Sequence, residues 1–86
     1  MFSIKYSNQA AKFIKKSEKE TSQRIIKKLE ELKKNPFPHD MKSIKGSDEK
    51  FYRVRVGDFR ILYEVDKKNN LIGIIKIDKR SKVYKK

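Results

Sequence analysis

Arg53, Arg55 and Arg60 are spaced so that three guanidinium groups can meet on one surface. They stand within Phe51-Tyr-Arg-Val-Arg-Val-Gly-Asp-Phe-Arg-Ile-Leu-Tyr-Glu-Val65, where two alternating runs flank Gly57-Asp58. A Gly-Asp pair tolerates positive φ, so the stretch is expected to be a β-hairpin with a two-residue loop. Counting outward from that loop, Val56 faces Phe59, Arg55 faces Arg60, Val54 faces Ile61, Arg53 faces Leu62 and Tyr52 faces Tyr63. Side chains alternate between the faces of a strand. Tyr52, Val54, Val56, Phe59, Ile61 and Tyr63 therefore share a core face, and the three arginines share the other. Like charges directly opposite destabilise a sheet, so such a patch calls for an anion. Guanidinium forks bind phosphate oxygens in pairs and stay charged at physiological pH. A cluster of them can position a phosphodiester and stabilise the added charge of a pentavalent transition state. The plainer alternatives are a basic face that only binds nucleic acid, or one that an acidic partner covers.

Other hydrolytic equipment is sparse. His39, the single histidine, stands in a proline-bounded connector with no partner at metal or triad spacing and reads as a loop residue. Glu18, Glu20, Glu30 and Glu31 read as helix surface charges and Asp58 as a turn residue. Asp66 and Asp78 are isolated carboxylates among lysines, a poor magnesium site. No metal and no cofactor are expected. A nuclease built this way would use the 2′-hydroxyl of its own substrate as the attacking group, which limits the substrate to RNA.

Twenty-four basic residues against 11 acidic ones, a formal net charge of +13 over 86 residues, favour a polyanionic partner, with nucleic acid ahead of anionic membrane. A lysine-rich proteome explains many of the lysines but not this imbalance. With no cysteine, disulfides, thiolate nucleophiles and zinc-finger sites are excluded. The longest apolar run, Leu71 to Ile75, is too short to span a bilayer, and the first residues lack a signal-peptide layout. The chain is expected to be soluble, cytoplasmic and one domain over residues 1–86.

The elements that must position the arginines follow from periodicity. Phe2 to Tyr6 alternates, so a first strand is expected with Phe2, Ile4 and Tyr6 inward. Ser7 suits a helix N-cap, and Ala10, Ala11, Phe13 and Ile14 form a short amphipathic helix. Ser17 and Glu20 have capping-box spacing, predicting a break and a second helix with Ile25, Ile26, Leu29 and Leu32 at helical spacing. Asn35-Pro36-Phe37-Pro38 ends it. From His39 to Lys50 the pattern is irregular, with Met41 and Ile44 as anchors. After the hairpin, Leu71 to Asp78 is a last strand. Its phase is set by keeping Lys76 and Asp78 out of the core, which sends Leu71, Gly73, Ile75 and Ile77 inward and puts Lys76 beside Arg60. The expected fold is α+β, a helix pair on one face of a mostly antiparallel, four-stranded twisted sheet.

Lys45-Gly46, the segment Tyr52 to Tyr63, and Lys79-Arg80 followed by Val83-Tyr84 together resemble the RelE/ParE superfamily of toxins from toxin–antitoxin systems. The resemblance covers nearly the whole chain, including the helix pair ending in Asn-Pro. It implies a ribosome-dependent, metal-free endoribonuclease that cuts mRNA in the ribosomal A site through 2′-hydroxyl attack. It also implies a cognate RelB-like antitoxin, acidic and helical, that wraps the toxin in a hetero-oligomer. The family's site positions fall on Arg53, Arg55, Arg60, Arg80 and Tyr84, and Lys45, Lys76, Lys79, Lys82 and Lys85 are expected to add phosphate contacts. The first two positions are lysines in well-understood members and arginines here. An arginine does not give up its proton, so Arg53 and Arg55 are cast as charge stabilisers with the base elsewhere. The competing reading is a ParE-like toxin that inhibits DNA gyrase and cuts no RNA. The Arg80 and Tyr84 ending favours the ribonuclease, because gyrase-poisoning members generally lack it. A nucleic-acid-binding module without toxicity is a third.

Overall fold

The computed structural model describes residues 1–44 and 50–79. Along the chain run β1 (Ser3–Tyr6), α1 (Asn8–Lys16), α2 (Lys19–Lys34), β2 (Lys42–Ile44), β3 (Phe51–Val56), β4 (Phe59–Asp66) and β5 (Leu71–Lys79). The strands form one five-stranded sheet in the order β1-β5-β4-β3-β2, antiparallel except for the parallel β1–β5 pair. The expected α+β layout holds, with one strand more than expected. The addition is β2, whose three residues are too few to reveal a period of two within an irregular segment.

The hairpin is the one that alternation predicts, with all five cross-strand pairs in the expected register. Gly57 takes φ +59. A glycine at the first central position supplies the positive φ that a two-residue hairpin loop of type II′ needs, and its twist matches that of the strands. Tyr63, Ile61 and Val54 on the inner face are at most 2% exposed, and they pack with Ile25, Leu29 and Leu32 of α2, Ala10 of α1 and Ile72, Ile74 and Ile77 of β5. Ile26, one residue round the helix from Ile25, lies outside this stripe and is 44% exposed. Tyr6 ends an edge strand and also stays exposed, whereas Phe2 and Ile4 pack against the core as expected.

Neither single phase describes β5. Tyr63 pairs with Ile74 while Leu62 pairs with Lys76, so Ile75 is an extra residue, a β-bulge. Before it Ile72 and Ile74 point inward, and after it Ile77 does, all three fully buried or nearly so. The bulge lets the strand bury isoleucines at both ends and still keep Lys76 outside, which no regular strand of this sequence can do. It also corrects the position of Lys76. The residue opposite Arg60 is Asp78, and Lys76 stands opposite Leu62.

The first turn of α1 locks the bulge. β1 ends opposite Ile74, so the backbone beyond has no strand on that side, and buried backbone groups need partners. Ser7 Oγ donates to the Ile75 carbonyl (2.7 Å), Gln9 Nε2 donates to the Ile77 carbonyl (2.6 Å), and Ile77 N–H donates back to Gln9 Oε1 (2.9 Å). Ser7 Oγ also accepts from Ala10 N–H, completing the expected N-cap. The break at Ser17 is present without the capping box. Ser17 closes α1 by donating to the Phe13 carbonyl, and Glu18 is the N-cap residue of α2. Ser22 Oγ donates to the Ile14 carbonyl and ties the helices together.

Candidate functional site

With the inner face spent on the core, alternation leaves two rows on the outer face. Lys42, Arg53, Leu62 and Lys76 stand opposite one another across β2, β3, β4 and β5. Arg55, Arg60 and Asp78 form the next row toward the turn. Between these rows and the turn lies an open cleft of about 670 Å³, with Asp40, Lys42, Arg53, Arg55, Gly57, Asp58 and Arg60 in its wall.

The three arginines differ in setting. Arg55 is exposed, and its Nε donates to the Gly57 carbonyl at 3.3 Å, which draws the side chain along the turn. Arg53 is half-buried, and Arg60, at 7% exposure, is a buried cation. Asp78 opposite Arg60 puts an acid next to that buried charge in the sheet register. A further cation reaches the turn from the helix side. A Cβ placed on Gly57 would lie 2.9 Å from Nη2 of Arg24, so a side chain there would push that guanidinium aside.

Asp40 is the tethered carboxylate of the cleft. Lys28 reaches out from α2, its side chain 15% exposed, and its Nζ lies 2.8 Å from Asp40 Oδ2. The bond from Lys28 holds the Asp40 carboxyl below its usual pKa of 3.8. Lys28 also lies 3.6 Å from Glu31.

Of the residues expected from the sequence, Arg53, Arg55 and Arg60 meet in the cleft. Lys76 shares a row with Arg53 but is not in the cleft wall, and Lys79 is exposed at the end of β5, opposite Phe59 beside the turn. Lys45, Arg80, Lys82, Tyr84 and Lys85 lie outside the described residues. Lys42 and Asp40 escaped sequence reasoning because they belong to the irregular segment before the hairpin. The one sequence signal was the alternation of Lys42 and Ile44 about Ser43. Asp66 and Asp78 sit at opposite ends of β4–β5 and do not form a pair. Asp66 instead accepts from the backbone and side chain of Asn69 (3.2 and 2.8 Å), which holds its pKa down and fixes the β4–β5 loop. Among the described residues no three acidic or histidine side chains converge as a metal site, and no helix is long and apolar enough to cross a membrane.

Comparison with known proteins bears on the family and the fold. Residues 4–84 match the family described as the ParE toxin of type II toxin–antitoxin systems. The protein curated under the name RelE1 in Methanocaldococcus jannaschii is 37% identical over 98% of this chain and 96% of its own length. A chain of the archaeal RelE–RelB complex from Pyrococcus horikoshii OT3 superposes with a TM-score of 0.81 at 28% identity, covering 92% of this chain and 94% of that one. Isolated E. coli RelE has the same fold, with a TM-score of 0.79 at 23% identity over 98% of this chain and 92% of its own. On the strength of the matched sequence and the shared fold, this chain belongs to the RelE/ParE superfamily and is a RelE-like toxin of a toxin–antitoxin system.

Proposed function

We propose that this chain is a ribosome-dependent, metal-independent endoribonuclease, a single toxin domain that cleaves mRNA in the ribosomal A site. The observation that carries the reading is the convergence of Arg53, Arg55 and Arg60, with Lys42, on one open cleft. A phosphodiester lying across the outer face meets guanidinium groups from two strands. Arg55, exposed at the turn, contacts the phosphate first, while Arg53 and Arg60, more rigidly packed, hold charge where the transition state develops it. None of the three arginines can exchange a proton near neutral pH. Their part is electrostatic, and the substrate's 2′-hydroxyl attacks, leaving a 2′,3′-cyclic phosphate. Arg80 and Tyr84, which follow the end of β5 in sequence, are proposed to complete the site, Arg80 as a further phosphate ligand and Tyr84 as a base or a stacking platform. Lys45, Lys76, Lys79, Lys82 and Lys85 extend phosphate binding around it.

The natural partner proposed is an acidic, helical antitoxin in a cytoplasmic hetero-oligomer. The Pyrococcus relative is found in complex with RelB, and a net charge of +13 suits an acidic chain laid over the outer face. The gyrase-directed reading is less well supported: the matched family model is described as the ParE toxin, but the relative at 37% identity and the Pyrococcus structure at 28% identity both carry the RelE name. The test adds the purified chain to programmed ribosomes and, in parallel, to gyrase. The reading expects A-site cleavage of the message, no cleavage of free RNA at the same concentration, and undisturbed supercoiling. Intact message with blocked supercoiling would replace it by the gyrase reading.

A further inference from the structure

The geometry points to Asp40 as the general base that takes the 2′-hydroxyl proton in this cleft. The inference rests on the ribonuclease reading and chooses between the two roles that reading gives Tyr84, leaving Tyr84 the stacking platform and giving the base to Asp40. A cleft of arginines can stabilise charge but cannot accept a proton, so the nucleophile needs an acceptor from elsewhere. The described cleft wall offers two carboxylates, Asp40 and Asp58. Asp58 rides on the two-residue turn beside Arg55 and Arg60. Asp40 is fixed from the body of the protein by Lys28, whose Nζ stands 2.8 Å from Oδ2.

That tether orients the base without consuming it. A carboxylate offers about four acceptor sites on two oxygens, Lys28 engages Oδ2, and the Asp40 side chain is still 43% exposed. Lys28 also keeps the carboxyl ionised, the form that accepts a proton. A weakly basic carboxylate loses driving force for abstraction. The guanidinium groups that line the same cleft offset this by stabilising the charge that builds on phosphorus oxygens as the proton leaves. In the step itself the 2′-oxygen forms its bond to phosphorus as its proton passes to Asp40. The P–O5′ bond breaks, and the 5′-oxygen leaves with a proton from water. The products are a 2′,3′-cyclic phosphate and a 5′-hydroxyl end, and Asp40 returns its proton to solvent.

Rate and affinity should move in opposite directions, which separates this role from a structural one. Removing a negative charge from a cationic cleft favours RNA binding, whereas removing the base slows cutting. The experiment compares the full chain with Asp40→Asn and Asp40→Glu on programmed ribosomes, measuring single-turnover cleavage and binding to a message with one 2′-deoxynucleotide in the A site. Asp40→Asn is expected to cut about 10²–10⁴-fold more slowly and to bind the deoxy message as tightly as, or more tightly than, the native chain. Asp40→Glu recovers part of the rate. An Asp40→Asn variant that cuts at the native rate, or that loses binding in parallel with rate, overturns the assignment and leaves the ribonuclease reading standing. A native chain that leaves the message intact overturns the ribonuclease reading itself.

Discussion

Three arginines that look equivalent in sequence sit in different settings, separated by burial. Arg55 is exposed, and Arg60 is a buried cation on the central strand near the hairpin turn. Arg55→Ala should therefore leave the melting temperature close to native while lowering RNA affinity. The slope of log affinity against log salt should become shallower by about one unit, the signature of a lost phosphate contact. Filter binding across a salt series reads both quantities. Arg60→Lys is not conservative, since an ammonium on a flexible stem cannot reproduce a planar fork in a packed site. The Asp40–Lys28 pair predicts a modest pH effect of definite sign. Because the folded-state carboxyl titrates below 3.8, the pair stabilises the protein above that pH, and the contribution is lost as pH falls through the folded value. The pair is partly exposed and screened, so its worth is at most about 1 kcal/mol. Thermal melts should show Asp40→Asn slightly less stable than native at neutral pH, with the gap closing well below pH 3.8.

At the scale of elements, two hydroxyl side chains, Ser7 and Tyr63, fasten the strands that carry the site. Ser7 caps α1 and at the same time satisfies the bulge carbonyl of Ile75. Ser7→Ala should cost about 1–2 kcal/mol, a fall in melting temperature of roughly 4–8 °C per kcal/mol in a domain of this size. Calorimetry or circular dichroism would measure it. The buried Tyr63 hydroxyl donates to the buried Pro36 carbonyl at 2.7 Å and fastens the exit of α2 to the central strand. Burial pushes that phenol far above its ordinary pKa, consistent with a structural hydroxyl. Tyr63→Phe leaves the carbonyl without this donor, at a cost of about 1–3 kcal/mol, and the denaturation midpoint should drop accordingly. The hairpin was legible in the sequence because Val, Arg and Gly57-Asp58 obey short-range rules, and every arginine pair follows from the loop length. β2 and the β5 bulge were not legible. The first is too short to show a period, and the second resolves a conflict between Ile72, Ile74 and Ile77 that exists only once α1 and α2 cover one face. Asp40 escaped for the same reason, since its place in the cleft depends on a lysine twelve residues away on α2.

Across the whole molecule the division of labour is simple. The inner face of the sheet and the helix pair make the core, and the outer face presents the cations. The surplus of charge that the proposed function would use to hold RNA also crowds like charges together in the free protein, a repulsion that the proposed acidic antitoxin would relieve. Under the proposed function the protein stabilises charge and takes up a proton, while the RNA supplies its own nucleophile. The most direct test places a single 2′-deoxynucleotide at the A-site position of an otherwise ordinary message on programmed ribosomes. Cleavage should be abolished at that position while toxin binding persists, and the ordinary message should yield 2′,3′-cyclic phosphate ends. Cleavage at the native rate 3′ of the deoxynucleotide would contradict the account.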